Sequence, residues 1–166
     1  MQTDLEGAVP MTEVADRRPA ISEPERLIAS GAIRKGLGLE SIDLRFGLEL
    51  ARSQLQRGAT TEAFRTYVAL VLCDPSDPDL QIGLANCALQ VKEPELALQA
   101  ASAAFTLQPT NPRGYYLSGQ ACFALGHFAE AEEDLTDAIA WARKAKDSVL
   151  FAEADQLLTK LRAVHR

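Results

Sequence analysis

Small residues return along this chain at one fixed interval. Ala63, Ala97 and Ala131 stand 34 residues apart, and so do Ala51, Ala85 and Gly119. Pro75 and Pro109 keep the same step, as do the pairs Asp77-Pro78 and Asn111-Pro112. Each pair suits the start of a helix: Asp or Asn accepts hydrogen bonds from the free first-turn amides, and proline at the first helical position loses no bond. Gly58 and Gly126 are two steps apart, with Lys92 between them. Between these markers the apolar residues follow helical spacing, with no alternation of the kind strands need. The pattern predicts three units, at 44–77, 78–111 and 112–145, each a helix, a turn and a second helix.

The third unit carries the pattern most fully. "PRGYYLSGQACFAL" forms its first helix and "FAEAEEDLTDAIAWA" its second. Gly119, Ala131 and Ala138 let the two helices approach, while Tyr115, Phe128 and Leu135 fill the remaining space. Tyr115, Gly119, Gly126, Phe128, Ala131 and Ala138 together resemble the tetratricopeptide repeat, which has this period and this alternation of small and large positions. The other units depart from it: Gly47 and Gln81 stand where an aromatic is usual, Lys92 occupies a turn, and Pro94 opens a second helix. The resemblance implies an all-α fold of three helix-turn-helix repeats in a short right-handed solenoid.

A repeat array needs polar-faced caps, because its end units would otherwise expose their stacking surface. At 147–165 a capping helix is expected, begun by Asp147 or Ser148, with Leu150, Ala154, Leu157, Leu161 and Val164 on one face. At the other end a helix is expected over 22–36, with Ser22 and Glu25 spaced as a capping box. Leu27, Ile28 and Ile33 give it a short apolar face, and Gly31, Gly36 and Gly38 weaken it in isolation. Residues 21–166 therefore read as one domain, preceded by a segment at 1–20 without periodicity and expected to be disordered.

Charge and composition narrow the function. The formal net charge is -6, so nucleic acid repels the chain on average. No apolar run reaches the roughly 20 residues that span a bilayer, and the first residues lack a secretory pattern, so a cytoplasmic protein is expected. Cys73, Cys87 and Cys122 have no metal-ligand spacing and read as buried thiols of a reducing compartment. The two histidines, His127 and His165, have no partners at metal-ligand spacing. Glu130, Glu132, Glu133 and Asp134 crowd the first turns of one helix. There they oppose its dipole, worth about 0.3–1 kcal/mol each at best, and they read as a solvated face. No catalytic residue, metal site or cofactor is expected, and the chain does not read as an enzyme.

An array of helix pairs instead offers a curved inner surface lined by the first helix of each unit. Positions 2, 5, 9 and 12 of the units face it: Arg45, Leu48, Arg52 and Leu55; Asp79, Ile82, Asn86 and Leu89; Arg113, Tyr116, Gln120 and Phe123. Six of these are apolar or aromatic, two are amides and four are charged. Such a lining suits an extended peptide, with pockets for alternate side chains and amides for the backbone. For Leu55, Leu89 and Phe123, near the turns, packing against a neighbouring helix is the competing expectation. Leu48, Ile82 and Tyr116 form a row where a carboxylate-gripping adaptor of heat-shock proteins would carry lysines.

The whole layout resembles the class II chaperones of type III secretion, which hold translocator proteins before export. The stretches that carry it are "SIDLRFGLELARSQLQRG", "FRTYVALVLCDPSDPDLQIGLANCALQ" and "LGHFAEAEEDL". The resemblance implies a cytosolic chaperone whose groove binds an extended segment of a secreted translocator-type client, with Tyr116 and Phe123 as its anchors. It also implies a homodimer through the N-terminal helix. The alternative is a scaffold joining protein partners unrelated to secretion.

Overall fold

The computed structural model describes residues 26 and 31–164. The segment 1–20, the capping box at Ser22 and Glu25, most of the expected helix at 22–36, and His165 lie outside them. Eight helices follow one another among the described residues, and no strand. They are α1 (Ala32–Gly36), α2 (Ser41–Gln56), α3 (Thr60–Cys73), α4 (Pro78–Gln90), α5 (Pro94–Leu107), α6 (Pro112–Leu125), α7 (Phe128–Ala145) and α8 (Ser148–Val164). From α2 onward each helix packs on the next, and α4, α6 and α8 also touch in turn along one side. This is a helical repeat solenoid.

The period has a physical basis at each of its markers. Asp77 and Asn111 cap α4 and α6 by accepting from the amides of Asp79 (2.8 Å) and Arg113 (3.0 Å). Asp147 does the same for α8, accepting from Leu150 at 3.0 Å. α2 starts earlier than the repeat register suggests, because Glu40 and Asp43 form a capping box ahead of it. Ala51, Ala63, Ala85, Ala97 and Ala131 are wholly buried at the helix contacts. Gly119 is needed for closeness: a methyl there would stand 2.8 Å from Leu135 Cγ.

Gln81 turns out to be less of a departure than the sequence suggests. Its side-chain amide donates to the Pro75 carbonyl at 2.9 Å, and one step later the Tyr115 hydroxyl donates to the Pro109 carbonyl at 3.1 Å. Amide and phenol make the same tie between connector and helix. Lys92 is a true departure. The three turns close with the same pair of backbone bonds, and Gly58, Lys92 and Gly126 all adopt positive φ, at 75°, 64° and 79°. Only glycine takes that conformation without a Cβ clash. Lys92→Gly is therefore expected to stabilise the fold by about 0.5–1 kcal/mol, read as a raised denaturant midpoint at unchanged slope.

The acid cluster divides. Glu132 pairs with Arg162 of α8 at 2.8 Å, and Glu130 and Glu133 are exposed. Asp134 corrects the expectation of a solvated face: it turns toward α6, where it accepts from Ser118 Oγ at 2.6 Å, and Ser118 is 2% exposed. Burial pushes the Asp134 carboxyl up; the Ser118 hydrogen bond opposes this, and Asp137 and Glu133 add to it. The folded state thus holds this proton more tightly than the unfolded chain, whose carboxyls titrate near about 4. Stability falls as pH rises through and above that range. Asp134→Asn keeps the acceptor and removes the charge, so it should raise the melting temperature at neutral pH. That gain should disappear in acid below about pH 4.

The core falls into two clusters. One gathers residues of α2 to α5 with Leu117 of α6; the other gathers Cys122, Leu135, Leu158 and Leu161 with alanines of α7 and α8. Between them lie Ala88, Ala97 and Ala121. α8 buries Leu150, Ala154, Leu158 and Leu161, while Val164, expected on that face, is 63% exposed. The single tryptophan, Trp141, lies near the end of α7 with Lys144 Nζ 4.1 Å from its ring centroid.

Candidate functional site

The three units and α8 enclose a cavity of about 540 Å³. Seven of the twelve lining residues expected from the repeat border it: Arg52, Leu55, Asp79, Ile82, Asn86, Arg113 and Tyr116. Arg45, Leu48, Leu89, Gln120 and Phe123 lie outside it. Arg45 is exposed, and Leu48 and Leu89 pack against the first core cluster. Gln120 donates to the Tyr116 hydroxyl at 3.0 Å, which holds that ring in place. Phe123 packs against the second cluster and Phe128, with ring centroids 6.0 Å apart, under Lys160.

Further residues that the repeat positions did not predict complete the wall: Tyr67, Gly83, Asn111, Leu117, Asp147, Val149, Leu150 and Glu153. Some of these were within reach of the sequence. Asp147 and Leu150 stand 34 residues after Arg113 and Tyr116, so carrying the step into the capping helix finds them. Tyr67 sits on a second helix, where no first-helix rule looks.

The floor is apolar, with Leu117 and Leu150 each 5% exposed and Ile82 and Leu55 half-buried. Arg52 spans the first junction, meeting Glu49 at 3.1 Å and Asp79 at 3.4 Å. Both partners are well exposed, so this pair adds little stability; it fixes where the charges stand. Burial pushes the Tyr116 phenol up, and Glu153 adds to the effect, which places that carboxylate's field on the ring's polar end. The cavity joins an apolar floor, two phenols, amides and charges of both signs. It suits an extended chain with an apolar side and a wet one. Burial lifts the Cys87 thiol to about 11, so it is protonated at neutral pH and a poor nucleophile. Among the described residues, no three His, Cys, Asp or Glu gather as metal ligands, and no helix is long and apolar enough to cross a membrane.

The fold recurs in solved structures. PcrH, a Pseudomonas aeruginosa protein, in complex with the chaperone binding region of PopD, superposes with a TM-score of 0.72 at 26% identity. The match covers 78% of this chain and 98% of that one. The type III secretion translocator chaperone SycD of Yersinia enterocolitica gives 0.70 at 24% identity, covering 78% and 90%. The first tetratricopeptide domain of Spaghetti (RPAP3), bound to an HSP90 peptide, gives 0.67 at 22%, covering 76% and 97%. At these identities the last two speak to the fold alone. In sequence, cellulose synthase operon protein C of Pseudomonas fluorescens (strain SBW25) is 36% identical over 107 residues, 63% of this chain and 8% of that protein's length. No family model matches. The chain has a helical repeat fold that resembles those of the type III secretion translocator chaperones and of a tetratricopeptide domain.

Proposed function

We propose that this helical repeat protein is a cytoplasmic binding chaperone that holds an extended apolar segment of a secreted translocator-type client in its concave cavity until export. The observation that carries the reading is the cavity itself, walled by every unit and by α8, with an apolar floor and polar groups spaced along it. PcrH, with this fold at 26% identity, is crystallised with the chaperone binding region of PopD, which supports the same use here. The mechanism is stoichiometric: occupying the client's apolar segment lowers the free concentration from which it aggregates. It requires no catalytic residue and no cofactor.

The test is capture of the tagged full chain from its native cells, with bound proteins identified by mass spectrometry. One abundant, apolar, secreted partner at near-equal stoichiometry is expected, and that partner should become insoluble when the gene is deleted. Several folded partners that stay soluble without it would make the protein a scaffold. Self-association belongs to the same proposal. Ile42, Phe46 and Leu50 form one stripe of α2, exposed by 50%, 68% and 49% beside Leu37 at 66%. Such a stripe, which follows the expected N-terminal helix in sequence, suits burial against a second copy. Removing residues 1–36 together with Phe46→Glu should then convert a dimer to a monomer in solution, read by light scattering.

A further inference from the structure

One wall of the cavity comes from the outer layer of the solenoid. Tyr67 belongs to α3, yet it borders the cavity while remaining only 3% exposed. Gly83 makes this possible: a methyl at that position would overlap Cε1 and Cζ of the Tyr67 ring. The equivalents of Tyr67 in the later units are Ala101 and Leu135, and that of Gly83 is Leu117. The first junction therefore has an opening that the second lacks, and a phenol fills it.

The hydroxyl of that phenol makes no hydrogen bond among the described residues. Every fully buried side-chain nitrogen or oxygen among them has a partner, so the hydroxyl is the end of Tyr67 that meets the cavity. Neighbouring polar groups are engaged elsewhere: Arg52 with Glu49 and Asp79, and Asn86 with Gln90 at 3.3 Å. Burial raises the phenol's pKa, Cys87 adds to this and Arg52 opposes it, so the hydroxyl keeps its proton and is a donor at neutral pH. A hydroxyl at the edge of a cavity pairs with water in the free protein, and a segment that displaces that water must take over its bond.

Resting on the reading of the cavity as a peptide groove, we propose that the Tyr67 hydroxyl is its main-chain anchor, donating to a backbone carbonyl of the bound segment at the first junction. An extended apolar segment carries few side-chain acceptors but presents a carbonyl at every residue, and each one taken from water needs a donor. A donor fixed on a buried ring meets that need whatever the client's sequence.

The test uses the full chain, wild type and Tyr67→Phe, with peptides selected on the wild type from a random library and affinities read by calorimetry. Phenylalanine keeps the ring over Gly83. Tyr67→Phe should weaken every selected peptide by about tenfold, the loss of one well-made hydrogen bond in a desolvated site. The factor should persist through alanine substitutions along each peptide, and the melting temperature should not fall. Equal affinities for the two proteins would overturn the anchor and leave the groove reading standing. A penalty that vanishes when one peptide side chain is replaced would also overturn it, since the hydroxyl would then read a side chain. Peptides that bind Tyr116→Ala as tightly as wild type, or a wild type that selects none, would overturn the groove reading and the anchor together.

Discussion

Leu135→Ala should lower the stability of the fold by about 2–5 kcal/mol, enough to unfold a marginal domain of this size. Leu135 is wholly buried, and its Cγ and Cδ2 fill the space that Gly119 leaves open across the α6–α7 contact. Its buried neighbours along α7 are the alanines Ala131 and Ala138, too small to fill the gap that truncation would leave. The same change at Leu107, which is 42% exposed at the end of α5, should fall within about 0.5 kcal/mol of wild type. Denaturant unfolding of the two variants side by side checks this. Equal costs would mean that Leu135 of α7 does not pack against Gly119 of α6.

Tyr116→Ala should weaken peptide binding by about 2 kcal/mol or more, roughly 30-fold, as a buried aromatic at the centre of an interface does. Phe123→Ala is the informative partner. Both rings stand at expected lining positions, but only Tyr116 borders the cavity, while Phe123 packs into the second core cluster. Phe123→Ala should therefore lower the melting temperature yet leave affinity nearly unchanged for the folded fraction. A reversed outcome, with Phe123 carrying the binding and Tyr116 not, would place the bound segment further along α6 than the cavity does.

How far the fold was legible depends on what carried each signal. The alanine and glycine step at 34 residues is a statement about helix approach, and helix approach is what the packing shows at Ala63, Ala97 and Ala131. The caps at Asp77 and Asn111 were legible because capping is local chemistry. Gln81 was misread because the role of the position is a hydrogen bond to a proline carbonyl, which an amide makes as well as a phenol. Asp134 was misread because its burial is decided across the interface by Ser118, 16 residues away. The cavity was half legible. Its first-helix wall follows from position in the repeat, and its α8 wall follows from the same step carried one unit further. Tyr67 does not: its place in the wall is set by a missing Cβ at Gly83, and the sequence of α3 alone holds no trace of that.

The division of the core into two clusters with three alanines between them bears on how the molecule comes apart. Stacked repeats couple only through their neighbours, so the strength of each junction decides whether the array melts as one body. Here Ala88, Ala97 and Ala121 do not stand alone between the clusters: Leu117 of α6 belongs to the first cluster, and the Phe105 ring of α5 stacks on Tyr115 of α6 with centroids 4.9 Å apart. The second and third units are thus tied by large side chains, and the array should melt as one body. Trp141, the one tryptophan, lies in α7 of the third unit. Its fluorescence and helical circular dichroism, which watches every unit, should therefore report one denaturant midpoint.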